Sequence, residues 1–268
     1  MASILVTGAS RGIGQATCVS LGRAGHRVFA TMRNPSRAPE LSAIASAESL
    51  PIIVSAMDVD SDDSVRRGVG DIIAQHGPID VLVNNAGIER RGSVEELALA
   101  EFRAVMETNY FGAIRCMQAV LPSMRTRGSG CIINITSVAG RISASPLGPY
   151  SASKFALEAI TEALAQEVKA LGIRIAIVQP GIINTDMSNA ITTEADGSLY
   201  PHSRRFAGMF TASLKTPTGP ELVGDTIRSI TLSGVTRPGA ARRCAGLGLG
   251  AVAEAGHGWR GGRPGDCL

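Results

Sequence analysis

Short runs of Val, Ile, Leu and Ala alternate with amphipathic stretches along most of this chain. The runs at 4–7, 27–31, 52–57, 81–84, 131–136 and 174–179 read as strands. They are continuously apolar rather than alternating, as expected where a parallel sheet is covered on both faces. Helical spacing fills 13–24, 62–75, 101–127 and 150–171. This succession predicts an α/β chain, one doubly wound parallel sheet flanked by helices. In the last helix Leu157, Ile160, Leu164, Val168 and Leu171 form one apolar stripe, and Ala152, Ala156, Ala159 and Ala163 form a second. A helix apolar on two faces packs on the sheet and also on a second subunit or a further helix of its own chain.

Composition leaves that picture intact. The 268 residues are 44% hydrophobic and 18% charged, which suits one soluble domain. No apolar run reaches the ~20 residues of a membrane span. The first strand leads straight into a glycine loop without a basic region or cleavage site, so no signal peptide is expected. The five cysteines include no C-x-x-C pair, which fits reduced thiols and a cytoplasmic setting. The four histidines share no ligand-like spacing, so no metal is expected. The net charge of +3 arises after Val235, and the first 234 residues balance 21 basic against 21 acidic groups. The body therefore gives no electrostatic footprint for nucleic acid.

Charge type is more informative than charge sum. Only three of the 26 basic residues are lysines, and one stands in Tyr150-Ser151-Ala152-Ser153-Lys154. On a helix, Tyr150 and Lys154 share a face. A tyrosine ionises near ~10 and a lysine near ~10.4. The ammonium is expected to draw the phenol about 3 units toward neutrality. That needs about 4 kcal/mol, which unit charges ~4 Å apart at a dielectric of ~20 supply. Upstream, Ser137 closes the strand at 131–136, a strand end where α/β proteins place chemistry.

The first strand is followed by Thr7-Gly8-Ala9-Ser10-Arg11-Gly12-Ile13-Gly14 and then a helix. Such glycines let backbone approach a pyrophosphate at the positive helix N-terminus. The order G-x-x-x-G-x-G departs from G-x-G-x-x-G, and the lack of a Gly-Lys-Ser/Thr excludes a P-loop. Strand two ends in Phe29-Ala30-Thr31-Met32-Arg33-Asn34, with no acid for a ribose 2′-hydroxyl. Arg33 and Arg11 suit a 2′-phosphate instead, which favours NADP(H) over NAD(H).

With these motifs the chain resembles the short-chain dehydrogenase/reductase family from about Ile4 to Ser233. Asp58-Val59, Asn84-Asn85-Ala86-Gly87, Asn109 and Pro180-Gly181-Ile182-Ile183-Asn184-Thr185 extend the match. The resemblance implies a single-domain Rossmann-type fold over 1–234 and hydride transfer at nicotinamide. Tyr150 would be general acid or base, Lys154 would tune it and bind the nicotinamide ribose, and Ser137 would hold the substrate oxygen. Asn109 would hold a proton-relaying water. Gly8, Ser10, Arg11, Gly12, Ile13, Gly14 and Arg33 would bind the cofactor, with Asp58 and Val59 at its adenine. Asn85, Ala86 and Gly87 would line its adenosine-ribose side, and Pro180, Gly181, Ile183 and Thr185 its nicotinamide.

The resemblance also implies a substrate lid at 182–220. Met187, Ile191, Leu199, Tyr200, Phe206, Met209 and Phe210 there imply a hydrophobic ketone or secondary alcohol, similar to the hydroxysteroid and retinol branch. A 3-oxoacyl reductase for acyl carriers and a non-catalytic dinucleotide sensor are the alternatives. A homodimer or homotetramer is expected through helices 101–127 and 150–171. The segment 235–268, rich in Gly, Ala and Arg, breaks the resemblance and is expected to be irregular, as a shifted reading frame near Val235 would leave it.

Overall fold

The computed structural model describes residues 1–191, 198–216, 218–232, 241–245 and 252–254. Strands β1 (Ser3–Thr7), β2 (Arg27–Met32), β3 (Ile52–Ala56), β4 (Val81–Asn84), β5 (Gly130–Ile135) and β6 (Ile173–Gln179) match the six expected runs to within a residue at either end. Two more, β7 (Ala241–Ala245) and β8 (Val252–Glu254), follow. They form one sheet in the order β3-β2-β1-β4-β5-β6-β7-β8, parallel as far as β7, with β8 antiparallel. The order reverses between β1 and β4, so the crevice at their C-terminal ends is where a ligand site belongs.

Period-two alternation along these strands builds two cores. Ile4, Val6, Val28, Val81, Val83 and Ile133 face one way, onto helices α1 (Gly12–Arg23) and α9 (Pro220–Leu232) through Leu21, Val223, Ile227 and Ile230. Leu5, Phe29, Leu82, Ile132 and Ile175 face the other way. There α3 (Asp62–His76) contributes Val65, Val69 and Ile72, and α5 (Gly112–Arg127) contributes Met117, Val120 and Met124. The second core also takes Leu164 and Val168 from the end of α6 (Gly148–Glu167). Helix ends follow local chemistry. The Ser61 side chain caps α3 by accepting from Ser64 N at 3.2 Å, and α5 closes on Gly128 in the left-handed region (φ 64°). That glycine packs against Gly172, where a Cβ would lie 2.1 Å from the Gly128 carbonyl oxygen, so this pole of the sheet is sealed backbone on backbone.

Several elements depart from expectation. The helix expected over 101–127 is α4 (Leu99–Met106) and α5 joined by a π-helical turn at Glu107–Phe111. The helix expected over 150–171 is α6, which begins at Gly148 and is followed by a 3₁₀ turn at Lys169–Leu171. Helix α2 (Pro39–Ala47) was not foreseen, nor was α9, which covers α1. Within the 182–220 stretch lie α7 (Asp186–Ile191) and α8 (His202–Ser213), while 192–197 and 217 are outside the described residues. Of the tail expected to be irregular, the described parts are β7 and β8. Pairing of β7 with the open edge of β6, and of β8 with β7, supplies backbone hydrogen bonds without demanding an apolar pattern. Residues 235–240, 246–251 and 255–268 lie outside the described residues.

Candidate active site

One cleft opens at the C-terminal ends of β1, β4, β5 and β6. All the site residues expected from sequence line it except Asn109: the loop Gly8–Gly14 through Ser10, Arg11, Gly12 and Ile13, then Arg33, Asp58, Val59, Asn85, Ala86 and Gly87 on one side, and Ser137, Tyr150, Lys154, Pro180, Gly181, Ile183 and Thr185 on the other.

The glycine loop is shaped by backbone crowding. Gly8 has φ +65°, and a Cβ on it would lie 2.7 Å from the Ala86 Cα; one on Gly14 would lie 2.3 Å from the Gly8 carbonyl oxygen. Asn85 braces the loop from behind, its Nδ2 donating to the carbonyls of Thr7 and Gly8 at 3.0 Å each. The Thr7 hydroxyl accepts from both Asn85 N and Ala86 N at 3.0 Å. Thr7 thus locks two cofactor segments together, a role its place before Gly8 could have suggested. Helix α1 begins at Arg11 without a side-chain cap and with no acid in its first turn. Its first N–H groups therefore suit a phosphate, and the residues present fit a dinucleotide pyrophosphate.

Where Arg11 and Arg33 line the cleft the charges are mixed. Arg11 Nη1 lies 3.1 Å from the Asp186 carboxylate at the start of α7, and both are exposed. Arg33 stands near Asp60, an acid not foreseen from sequence. Burial raises the Asp60 pKa; a hydrogen bond from the Thr108 hydroxyl (3.0 Å) opposes the rise, Asp58 adds to it, and Arg33 opposes it.

The reacting end gathers on α6. The Ser137 hydroxyl accepts from Ala139 N at 3.1 Å, donates to the Pro180 carbonyl at 3.4 Å, and stands where a hydrogen bond to Tyr150 favours the ionised phenol. Lys154 Nζ donates to the Ile135 carbonyl at 2.8 Å and lies 5.6 Å from the centre of the Tyr150 ring. The expected depression of the tyrosine is reversed. Burial pushes the phenol up to about 12, the Ser137 hydrogen bond works against this, and the charge of Glu89 adds to it. Lys154 is in turn pushed down to about 8 by burial, with the Glu158 carboxylate pulling it back up. Removing both groups from water outweighs their mutual attraction, because desolvation penalises each charged form.

Asn109 stands behind the cleft, 1% exposed, in the π turn. Its Oδ1 accepts from Ile88 N at 2.8 Å, and its Nδ2 donates to the Ile88 carbonyl (2.9 Å) and to Ser153 Oγ (3.0 Å). Both amide protons are committed, so the second lone pair of Oδ1 is what it has left for a water. Beyond Ile88, Glu89 is a buried carboxyl pushed up to about 7 by desolvation, against the opposing charge of Arg91 3.4 Å away. Arg91 also donates to the Ala190 carbonyl at 2.7 Å, tying this loop to α7. Among the described residues no group of three or more His, Cys, Asp or Glu could hold a metal. No described helix is long and apolar enough to cross a membrane.

Comparison with known proteins agrees with this architecture. The family model for short chain dehydrogenase matches residues 2–196. The chain is 40% identical over 213 residues to a 3-ketodihydrosphingosine reductase of Bacteroides thetaiotaomicron, covering 79% of this chain and 74% of that protein. It is 36% identical over 224 residues to retinol dehydrogenase 8 of Bos taurus, covering 82% and 71%. The solved structure of a variant actinorhodin polyketide ketoreductase with NADPH superposes with a TM-score of 0.81 at 30% identity, covering 91% of this chain and 96% of that one. A family model over residues 2–196 and relatives of 36–40% identity over most of both chains agree with a glycine loop at the sheet reversal, and the chain belongs to the short-chain dehydrogenase/reductase family of oxidoreductases, in its retinol dehydrogenase-like branch.

Proposed function

We propose that the protein interconverts a ketone and a secondary alcohol on a hydrophobic, steroid- or retinoid-like molecule, using NADP(H), with Tyr150 as the general acid or base. The observation that carries this is the convergence of Ser137, Tyr150 and Lys154 on one cleft that the glycine loop also lines, with Lys154 Nζ 5.6 Å from the centre of the Tyr150 ring. The bound nicotinamide supplies or accepts hydride at the carbon of the reacting group. Ser137 holds the substrate oxygen within reach of Tyr150. With its pKa raised, the phenol stays protonated across the neutral range, the form that donates a proton to the oxygen of a ketone undergoing reduction. Lys154 stands behind the phenol, steadied by the Ile135 carbonyl.

An apolar substrate fits the lid. Leu147, Phe206 and Phe210 cluster with Ile182, and Val94, Ile142, Leu199 and Met209 are exposed hydrophobic side chains. The relatives named for a ketosphingoid base, for retinol and for a polyketide are compatible with it. For the cofactor, β2 ends at Met32 without an acid, and Arg11 and Arg33 line the cleft. A homodimer or homotetramer through α4–α5 and α6 completes the proposal, supported by the exposure of Phe111 (45%) and Phe155 (43%).

The test is a panel of apolar ketones and alcohols read at the nicotinamide absorbance with both cofactors. Tyr150→Phe is expected to lower kcat/KM at least about 10²-fold with the fold unchanged by circular dichroism. Undiminished turnover would refute the mechanism. Equal use of NADH and NADPH would remove the role given to Arg11 and Arg33.

A further inference from the structure

Tyr150 and Lys154 are followed four residues later by Glu158, so the three share one stripe of α6. Glu158 is 4% exposed. Its Oε1 accepts from the Thr136 hydroxyl at 2.5 Å and from Gln179 Nε2 at 2.8 Å. Thr136 immediately precedes Ser137, and Gln179 immediately precedes Pro180-Gly181. One oxygen thus gathers the ends of β5 and β6 onto the helix that carries Tyr150. The turn after Ser137 leaves no slack here: a Cβ on Gly140 would lie 3.2 Å from both the Glu158 Cγ and the Lys154 carbonyl oxygen.

These two bonds fix where the Glu158 carboxyl sits, and from that place it favours the charged form of Lys154. Burying a charge is costly unless an opposite charge lies close. Lys154 is one turn away and needs the converse help, because its surroundings favour the loss of its proton. Among the described residues, Lys154 also meets Tyr150 on its own helix, the Ile135 carbonyl from β5, and Gly87 after β4, with Asn109 of the π turn beside that glycine. Glu89 acts on the same site through Tyr150 and opposes ionisation of the phenol.

We propose that Glu158 is a positioning residue of this site: its buried carboxylate keeps the Lys154 ammonium charged and fixes the strand ends that carry Ser137 and Pro180. Its meaning for catalysis rests on the function proposed above, but its test does not require turnover. The chain has three lysines, and the other two, Lys169 and Lys215, are exposed. Lysine labelled with ¹³C at Cε therefore gives three signals, assigned through Lys169→Arg and Lys215→Arg. In Glu158→Gln the Lys154 titration is expected to move down by about 1 unit or more, tenfold in proton affinity, with Lys169 and Lys215 unmoved. Glu158→Asp, which keeps the charge one methylene further back, is expected to fall between the two. An unmoved Lys154 in a folded Glu158→Gln overturns the proposal. If that variant does not fold, an unmoved Lys154 in Glu158→Asp does so.

Discussion

Glu89 shows how far a single residue departs from what its letter suggests. It follows the Asn85–Gly87 turn by two positions, its side chain is 9% exposed, and its pKa is raised to about 7. A folded-state pKa above the ordinary carboxylate value means the native chain binds this proton more tightly than the unfolded one. The resulting stability is full below about pH 4.5 and is lost as pH rises through 7. Glu89→Gln should therefore match the native chain at pH 4 and exceed it above pH 7 by up to about 3 kcal/mol, read from denaturant melts across that range. Stability differing by the same amount at both ends would refute the assignment. The meeting of the proposed reacting residues was legible from sequence, since Ser137, Tyr150 and Lys154 line one cleft. The sign of the tyrosine shift was not, because spacing along a helix says nothing about desolvation. Glu158 could have been found, since it repeats the four-residue step from Tyr150 to Lys154. Asp60 and Glu89 carry no such signal, because what brings them to the site is the path of loops.

The π turn between α4 and α5 is the element on which the site's rear wall depends. Its extra residue rotates Asn109 inward against Ile88 and Ser153, a use in keeping with π-bulges at functional sites. Asn109→Ala should strand the Ile88 N–H and carbonyl and lower stability by about 1–3 kcal/mol, with Asn109→Asp intermediate because it can still accept from Ile88 N. A melting temperature unchanged in the alanine variant would contradict this. Sequence periodicity read 101–127 as one helix because a single inserted residue leaves the apolar stripe almost intact. The six central strands were legible for the opposite reason, as each is a short, dense apolar run with its own boundary. Helix α9 was missed although Val223, Ile227 and Ile230 keep helical spacing. Its glycine and polar positions sit among loops and break up the pattern.

At the scale of the molecule, the sheet is covered on both faces, and a stripe of α6 still faces outward beside Phe155. If that face is the proposed subunit contact, Phe155→Glu should shift the sedimenting species toward monomer while leaving circular dichroism unchanged. An unaltered oligomer would place the contact elsewhere. The two poles of the sheet differ in kind. At the N-terminal pole, Gly172 has no room for a side chain against the Gly128 carbonyl, and Gly128 itself holds a left-handed φ of 64°. At the C-terminal pole lie the cleft and the Arg11–Asp186 and Arg91–Ala190 ties to α7. Mutational tolerance should therefore be strongly polarised along the strand direction. Substitutions at Gly172 meet the Gly128 backbone and those at Gly128 meet its left-handed φ, while substitutions in the proposed lid at 182–220 should alter the choice of substrate more than the fold. A chain built this way is held shut at one end and keeps its chemistry and its adaptability together at the other.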